Sequence, residues 1–170
     1  MIFYPLITIN NSIARYIRMK KYILLVAVCG LLAACDPEYT LDFSVSNDAP
    51  KDLTIRSYRV DRLDSIVDSQ VYTVLAGKTP TVDAWYGIGS LSLEEARDMM
   101  RRQVWRDSVL FEFSDGRQMT FRVDSMVTDG PYDFSSKRYD YLEMTKKGHT
   151  YYGSLTYTVT SADYDAAVQP

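Results

Sequence analysis

The sequence predicts a mainly β protein: an antiparallel β-sandwich of the immunoglobulin-like or transthyretin-like kind with one short helix, after an N-terminal signal helix. Three observations predict this fold. Apolar and polar residues alternate in short segments, turn-forming residues separate these segments, and only one segment has the apolar spacing of an amphipathic helix. Because the Cys-Trp-Cys pattern of antibody domains is missing, a partly open barrel is the alternative fold.

The first half of the domain predicts four strands. Apolar and polar residues alternate in each, and the turn-forming sequences Asn-Asp-Ala-Pro and Ala-Gly-Lys follow the first and the third. In the second strand the apolar positions change parity between Ile55 and Tyr58, which indicates a β-bulge near Ser57. The four predicted strands are 41–45, 53–60, 71–75 and 79–85.

A helix and a hairpin come next. Ser92 and Glu95 have the spacing of a capping box, so we expect a helix to begin between them. Apolar residues alternate outwards on both sides of Asp115-Gly116, which predicts a hairpin with a type I′ turn. The apolar face of the predicted helix consists of Leu93, Ala96, Met100 and Val104.

The C-terminal residues predict a second hairpin and a helical turn. Residues 139–159 alternate most regularly towards their end, and Lys147-Gly148 is the expected turn between the two strands. After this hairpin, Thr160 or Ser161 is expected to cap a short helical turn over residues 161–167.

The N-terminal residues have the three-part layout of a secretory signal. Basic residues lie between Arg15 and Lys21, residues 22–34 carry no charge, and Cys35 follows. An apolar run of this length reaches about 20 Å as a helix, short of the roughly 30 Å hydrocarbon core of a bilayer. The sequence therefore predicts a signal peptide rather than a transmembrane helix, with Met19 as an alternative start of translation.

The residues Leu32-Ala33-Ala34-Cys35 resemble the lipobox of bacterial lipoproteins. In this respect the chain is similar to small lipoproteins of Gram-negative bacteria that carry a single β-rich domain of unassigned function. The resemblance implies cleavage between Ala34 and Cys35 and a covalent lipid on the Cys35 thiol. It divides the chain into a signal peptide (1–34), a lipidated tether (35–39) and a β-sandwich domain (40–170).

Acidic residues next to Cys35 bear on which membrane holds the protein. Asp36 resembles the inner-membrane retention signal of enteric bacteria. In other Gram-negative groups, acidic residues soon after the cysteine, here Asp36 and Glu38, resemble a signal for export to the cell surface. We expect a lipid anchor in the outer membrane, on its surface or periplasmic face, with the inner membrane as the alternative.

The charge of the mature protein argues against one class of partner. Four of the 19 basic residues and none of the 22 acidic residues precede Cys35, which leaves 15 basic residues and a net charge of −7. Such an acidic domain repels phosphates, so nucleic acid is not an expected partner. Because Cys29 and Cys35 are the two cysteines of the chain, no disulfide or cysteine-based metal site is expected in the domain.

Two aromatic residues are candidate ligand contacts. Trp85 and Tyr86 lie beside the flexible sequence Gly-Ile-Gly-Ser. Aromatic rings at such a position stack against sugar rings or anchor a protein partner. The alternative for this pair is packing within the core or across neighbouring strands.

Few polar residues are candidates for a catalytic or metal-binding role. Asp124, Asp129 and Asp133 surround a Gly-Pro pair and are a candidate calcium site, with loop solvation and helix or turn capping as the alternative. His149, the one histidine, follows a predicted turn, so we expect it to be exposed rather than catalytic or metal-bound. No serine lies in a G-x-S-x-G pattern, which argues against a serine nucleophile.

These observations predict a membrane-anchored lipoprotein that serves as a non-catalytic binding or structural module of the cell envelope. The expected partners are the membrane, through the lipid, and a glycan or an envelope protein. No cofactor is expected apart from the lipid on Cys35, with calcium as the alternative named above. The competing prediction is a carboxylate-dependent hydrolase of envelope or dietary glycans, which requires two carboxyl groups facing each other in a pocket.

Overall fold

Two four-stranded sheets face each other in the structure. The computed structural model describes residues 37–61, 65–89, 91–125 and 127–170, and the predicted signal helix, Ala34 and Cys35 lie outside these residues. The strands are β1 Glu38–Asn47, β2 Leu53–Val60, β3 Ile66–Val74, β4 Thr81–Ile88, β5 Ser108–Phe113, β6 Gln118–Arg122, β7 Tyr139–Lys147 and β8 Thr150–Val159. The helices are α1 Leu93–Met100, continued by a π-helical turn Arg101–Trp105, and α2 Ser161–Ala166. None of the helices in these described ranges is long and apolar enough to cross a membrane.

The strand order is β4-β1-β8-β7 in the first sheet and β3-β2-β5-β6 in the second. This architecture confirms the predicted mainly β sandwich. Neighbouring strands are antiparallel as predicted, except that β1 and β8 run parallel, in register from Glu38 beside Thr150 to Asn47 beside Val159. The first sheet is therefore mixed, because the first and last strands of the domain meet at its centre.

The core lies between the inner faces of the two sheets. Phe43 of β1 and Tyr157 of β8 have no exposed surface, and neither do Ile55 and Phe111 of the second sheet, which belong to the same apolar cluster. Alternation places every second side chain of a strand on this inner face. Full burial of one such side chain contributes roughly 1.5–3 kcal/mol to the free energy of unfolding.

Helix α1 begins where the sequence predicts. The Ser92 hydroxyl accepts a hydrogen bond from the Glu95 backbone N–H at 3.2 Å, and the Glu95 carboxylate accepts one from the Ser92 backbone N–H at 2.8 Å. This is the predicted capping box. Ala96 and Met100 are buried, and the π-helical turn that follows inserts Trp105 into the core.

The hairpin between β5 and β6 is confirmed, but its predicted type I′ turn is wrong. A type I′ turn requires positive φ at both central residues. Gly116 has a φ of +90°, whereas Asp115 is not among the described residues with positive φ. The Gly116 N–H donates to the Phe113 carbonyl at 2.8 Å, as in a type I turn followed by a glycine bulge.

Other predicted details are shifted by a few residues. The bulge expected near Ser57 lies instead at the Arg59/Val60 step, where the pairing register with β3 changes. β1 begins at Glu38, two residues before the predicted start of the domain. The second hairpin turns at residues 148–149. Thr160 caps the short helix α2, where a helical turn over residues 161–167 was expected.

Candidate functional site

Trp85 and Tyr86 are neighbours on β4, so their side chains lie on opposite faces of the first sheet. Trp85 is partly buried against the core, and its Nε1 donates to the Tyr39 hydroxyl at 3.2 Å. Tyr86 is 73% exposed on the outer face. The structure thus separates the two candidate residues, with Tyr86 on open surface, and ligand contact by the pair stays a prediction.

A glycine makes room for the packing of Trp85. Gly87 lies beside Tyr39 in the register of β1 and β4, and a Cβ at Gly87 would lie 2.3 Å from Cζ of the Tyr39 ring. Because glycine has no Cβ, the Tyr39 ring crosses this position and its hydroxyl reaches the Trp85 indole. The inner face of β4 is therefore a packing surface at Trp85.

The three predicted calcium ligands are not brought together. The Asp129 carboxylate accepts a hydrogen bond from the Ser136 hydroxyl at 2.7 Å, and the Asp133 carboxylate accepts one from the Asp129 backbone N–H at 3.0 Å. Asp124 instead forms an ion pair with Arg122 at 3.5 Å. Within the described residues, no group of three or more His, Cys, Asp or Glu side chains is arranged to hold a metal ion. Asp129 and Asp133 shape their loop, as the alternative interpretation expected.

The resolved pKa shifts of carboxyl groups in the described residues are all downward. The largest cause in each case is a hydrogen bond to the carboxylate, and the pKa is lowered in all of them. A general acid in a glycosidase needs a raised carboxyl pKa instead. The groups and the donors are Glu95 with the Ser92 backbone, Asp98 with Arg101, Asp115 with Tyr164, and Asp133 with Ser135. His149 is exposed in its turn, as expected.

A concave site lies between α1 with its π-helical turn and the loop 127–136. This space, the helix cleft, has a volume of about 590 Å³, within the roughly 300–1,000 Å³ typical of ligand pockets. Residues three and four apart on a helix share a face, so one face of the helical segment supplies four charged side chains. The lining residues are Glu94, Arg97, Asp98 and Arg101 on the helical side, and Val123, Tyr132 and Phe134 on the other.

Hydrogen bonds among the buried Trp105 and the partly buried Tyr132 and Tyr139 hold the loop side of the helix cleft. The Tyr132 hydroxyl donates to the Trp105 carbonyl at 3.0 Å. The Tyr139 hydroxyl donates to the Pro131 carbonyl and accepts a hydrogen bond from Trp105 Nε1 at 2.8 Å. The Phe134 ring lies 4.9 Å from that of Tyr139. Burial raises the pKa of the Tyr132 and Tyr139 phenols, which therefore stay protonated donors. The aromatic wall is thus fixed before any ligand enters.

The helical side of the cleft has one arginine without a protein partner. Arg101 binds Asp98 at 2.7 Å and Arg102 binds the other oxygen of the same carboxylate. By contrast, Nε of Arg97 is buried without a hydrogen-bond partner, and no salt bridge of the described residues includes Arg97. The charged residues that line the cleft are two carboxylates, Glu94 and Asp98, and two arginines, Arg97 and Arg101, so its lining has no net formal charge.

An unpaired guanidinium beside aromatic rings is suited to a specific class of ligand. Arginine offers a planar fork of N–H donors that matches a carboxylate, and aromatic faces pack against the apolar side of a ring. The sequence pattern predicts the apolar face of this helix and does not by itself indicate a site at Arg97 and Arg101. Their spacing shows a shared helix face, but nothing in the sequence indicates that Tyr132 and Phe134 face it.

No family model matches the chain, and no curated protein or solved structure is significantly similar to it. The finer likeness to immunoglobulin or transthyretin domains therefore stays a prediction, whereas the β-sandwich itself is a property of the structure.

Proposed function

We propose that this chain is a lipid-anchored lipoprotein of the bacterial cell envelope and that its domain is a non-catalytic binding module. The lipid on Cys35 holds it in the outer membrane, with the inner membrane as the alternative. Its helix cleft binds a carboxylate-bearing sugar, such as a uronic acid residue of a glycan. The lipobox-like residues 32–35 support the anchor, and the helix cleft supports the binding function.

The observation that carries the binding function is the unpaired Arg97. Nε is shielded from solvent, so a ligand carboxylate in the cleft would pair with the two Nη groups of Arg97, which no salt bridge of the described residues occupies. Such charge-assisted hydrogen bonds are stronger than those to a neutral ligand. Asp98 is already shared by Arg101 and Arg102, so it does not compete strongly for Arg97.

The rest of the lining favours a sugar as the body of the ligand. Tyr132 and Phe134 give aromatic surface for a pyranose ring, and the exposed Glu94 carboxylate accepts hydrogen bonds from hydroxyl groups. A hydroxylated ring with one carboxylate satisfies both sides of the cleft. A uronic acid has this chemistry.

The binding test compares D-glucuronate with D-glucose, which differ in the carboxylate. With the full chain purified in detergent, we expect calorimetric titration to show binding of glucuronate at least about tenfold tighter than of glucose. Arg97→Gln should remove this preference. Arg97→Lys keeps the charge but not the planar fork, so it should weaken glucuronate binding by about tenfold.

Arg102 supplies the matched control. It lies on the same helical segment and binds Asp98, but it does not line the cleft. Arg102→Gln should therefore keep the affinity for glucuronate. Equal binding of glucose and glucuronate, or unchanged affinity in Arg97→Lys and Arg97→Gln, contradicts the proposed ligand. Tighter binding of N-acetylalanine than of glucuronate would indicate a peptide carboxylate instead.

The anchor has a separate test. Cys35→Ser removes the thiol that accepts the lipid, so the signal peptide should stay attached and the protein should carry no acyl chains. Intact-mass measurement of the parent chain expressed in a Gram-negative host should show loss of residues 1–34 and addition of acyl chains. An identical mature mass for the parent and the Cys35→Ser chain, after correction for the substitution, refutes the anchor.

A further inference from the structure

One end of the first sheet gathers several chain segments around the start of β1. Glu38 lies beside Ile88, the last residue of β4. The Glu38 N–H donates to the His149 carbonyl in the β7–β8 turn at 3.2 Å, and the Gly89 N–H donates to the Pro37 carbonyl at 2.8 Å. We call this part of the sandwich the β1 end.

The outer face at the β1 end exposes large apolar and aromatic side chains. Ile88 and Tyr86 are each 73% exposed, and Tyr152 is 43% exposed. Thr40 lies beside Tyr86 on one side and beside Tyr152 on the other. Two strand spacings, about 10 Å, therefore separate the two tyrosines. Ile88, two residues after Tyr86, extends the same face to the end of β4. Exposed surface of this kind indicates a contact with another apolar phase or partner.

Two lysines lie at the same end, each over an aromatic ring. Lys146 Nζ is 5.5 Å from the centre of the Tyr151 ring, and Lys147 Nζ is 5.6 Å from that of Tyr152. Tyr152 is exposed, whereas Tyr151 is half-buried. A long cationic side chain beside an exposed aromatic ring, as in Lys147 and Tyr152, is typical of protein surfaces at a membrane interface. Two adjacent lysines also stand out in a mature chain of net charge −7. The exposed Glu38 carboxylate lies at the same end, so the attraction to an anionic leaflet comes from the two lysines and not from the net charge of this end.

The sequence places the proposed lipid next to this end. Cys35 is three residues before Glu38, and a chain spans at most about 3.6 Å per residue, so the two are within about 11 Å. We propose that the β1 end rests on the membrane surface, with Tyr86, Ile88 and Tyr152 at the lipid interface and Lys146 and Lys147 at the headgroups. This inference rests on the lipid anchor of the proposed function.

A spin label at Ile88 tests the orientation. The mature chain has no cysteine besides Cys35, so Ile88→Cys gives a single free thiol for a nitroxide. The probe membrane is a vesicle of phosphatidylethanolamine and phosphatidylglycerol in a ratio of three to one, into which the lipidated mature protein is reconstituted. The relaxation of the label by oxygen is compared with its relaxation by a water-soluble nickel chelate. We expect the ratio of the two to be at least about twofold higher at position 88 than at an exposed control position.

Val71 is the control position, because it is 54% exposed on β3 of the second sheet. The charge-reversed variant Lys146→Glu/Lys147→Glu should lower the oxygen preference at position 88 on these vesicles. Equal, water-like relaxation of the labels at positions 88 and 71, in a protein whose mass includes the acyl chains, overturns the membrane orientation and leaves the anchor standing. A mature mass without acyl chains overturns both.

Discussion

At the residue scale, Gly87 allows Tyr39 and Trp85 to pack together at β4. Its missing Cβ leaves the space that the Tyr39 ring occupies, and this ring in turn holds Trp85 through a hydrogen bond. Tyr39 is 8% exposed, so the ring has little freedom to move aside. We expect Gly87→Ala to lower the free energy of unfolding by about 1–3 kcal/mol, the usual cost of overpacking.

Gly153 is the comparison for this prediction. A Cβ there would also be crowded, but the nearest atom is the sulfur of Met144 at 2.5 Å, at the flexible end of a side chain. Gly153→Ala should therefore cost less than Gly87→Ala. Urea unfolding followed by circular dichroism measures both. If Gly87→Ala is as stable as the parent chain, or more stable than Gly153→Ala, this account of β4 is wrong.

Trp85 and Tyr86 of the same strand differ in exposure, which their sequence alone does not predict. Trp85 and Tyr86 were considered as a pair because they are adjacent in the sequence. In a strand, adjacent side chains point to opposite faces, so one packs inwards and the other is exposed. Tyr86 is exposed, as a ligand contact requires, and Trp85 packs inwards, as the alternative expected. The sequence did not show Tyr152 in the same row, because the pairing of β8 with β1 depends on the fold.

At the element scale, the sequence predicted those features that depend on neighbours along the chain. The capping box of α1 and both hairpins are local, and all of them are present. The turn at Gly116 was assigned to the wrong type because Asp-Gly suits two loops: a type I′ turn, and a type I turn followed by a glycine bulge. Both place glycine where φ is positive, so composition alone does not distinguish them.

Features that depend on distant contacts were not predictable in this way. The parallel pairing of β1 with β8 joins residues more than a hundred positions apart, and alternation contains no information on strand direction. The helix cleft has the same origin. Its charged side is a face of α1 and the following turn, whereas Tyr132 and Phe134 come from a loop that hydrogen bonds to Trp105 hold in place.

At the scale of the whole molecule, titrating groups set two limits to the pH range of stability. On the acid side, hydrogen bonds lower the pKa of Glu95 from 4.5 and those of Asp98, Asp115 and Asp133 from 3.8. A lowered folded-state pKa contributes stability that is present above the unfolded-state value and is lost as the pH falls through the folded-state value. We therefore expect the free energy of unfolding to fall below about pH 4.5.

On the alkaline side, buried phenols act in the opposite direction. Burial raises the pKa of Tyr72 from 10.0 to about 12 and also raises those of Tyr132, Tyr139 and Tyr157. A raised folded-state pKa contributes stability that is complete below the unfolded-state value of about 10 and is lost as the pH rises through the folded-state value. The free energy of unfolding should therefore be flat between about pH 5 and pH 9 and should fall at both ends.

Two substitutions separate these limits from general effects of net charge. Asp133→Asn removes one carboxyl group with a lowered pKa, so the decrease in stability on the acid side should become shallower while the alkaline side is unchanged. Tyr72→Phe removes one phenol with a raised pKa and should make the alkaline decrease shallower, although the hydrogen bond of its hydroxyl to Gln70 is lost. Urea midpoints measured from pH 3 to pH 11 test both. If the free energy of unfolding decreases as steeply on the acid side in Asp133→Asn as in the parent chain, the hydrogen-bonded carboxylates do not limit stability in acid. Repulsion between the cations left after protonation would then be the cause.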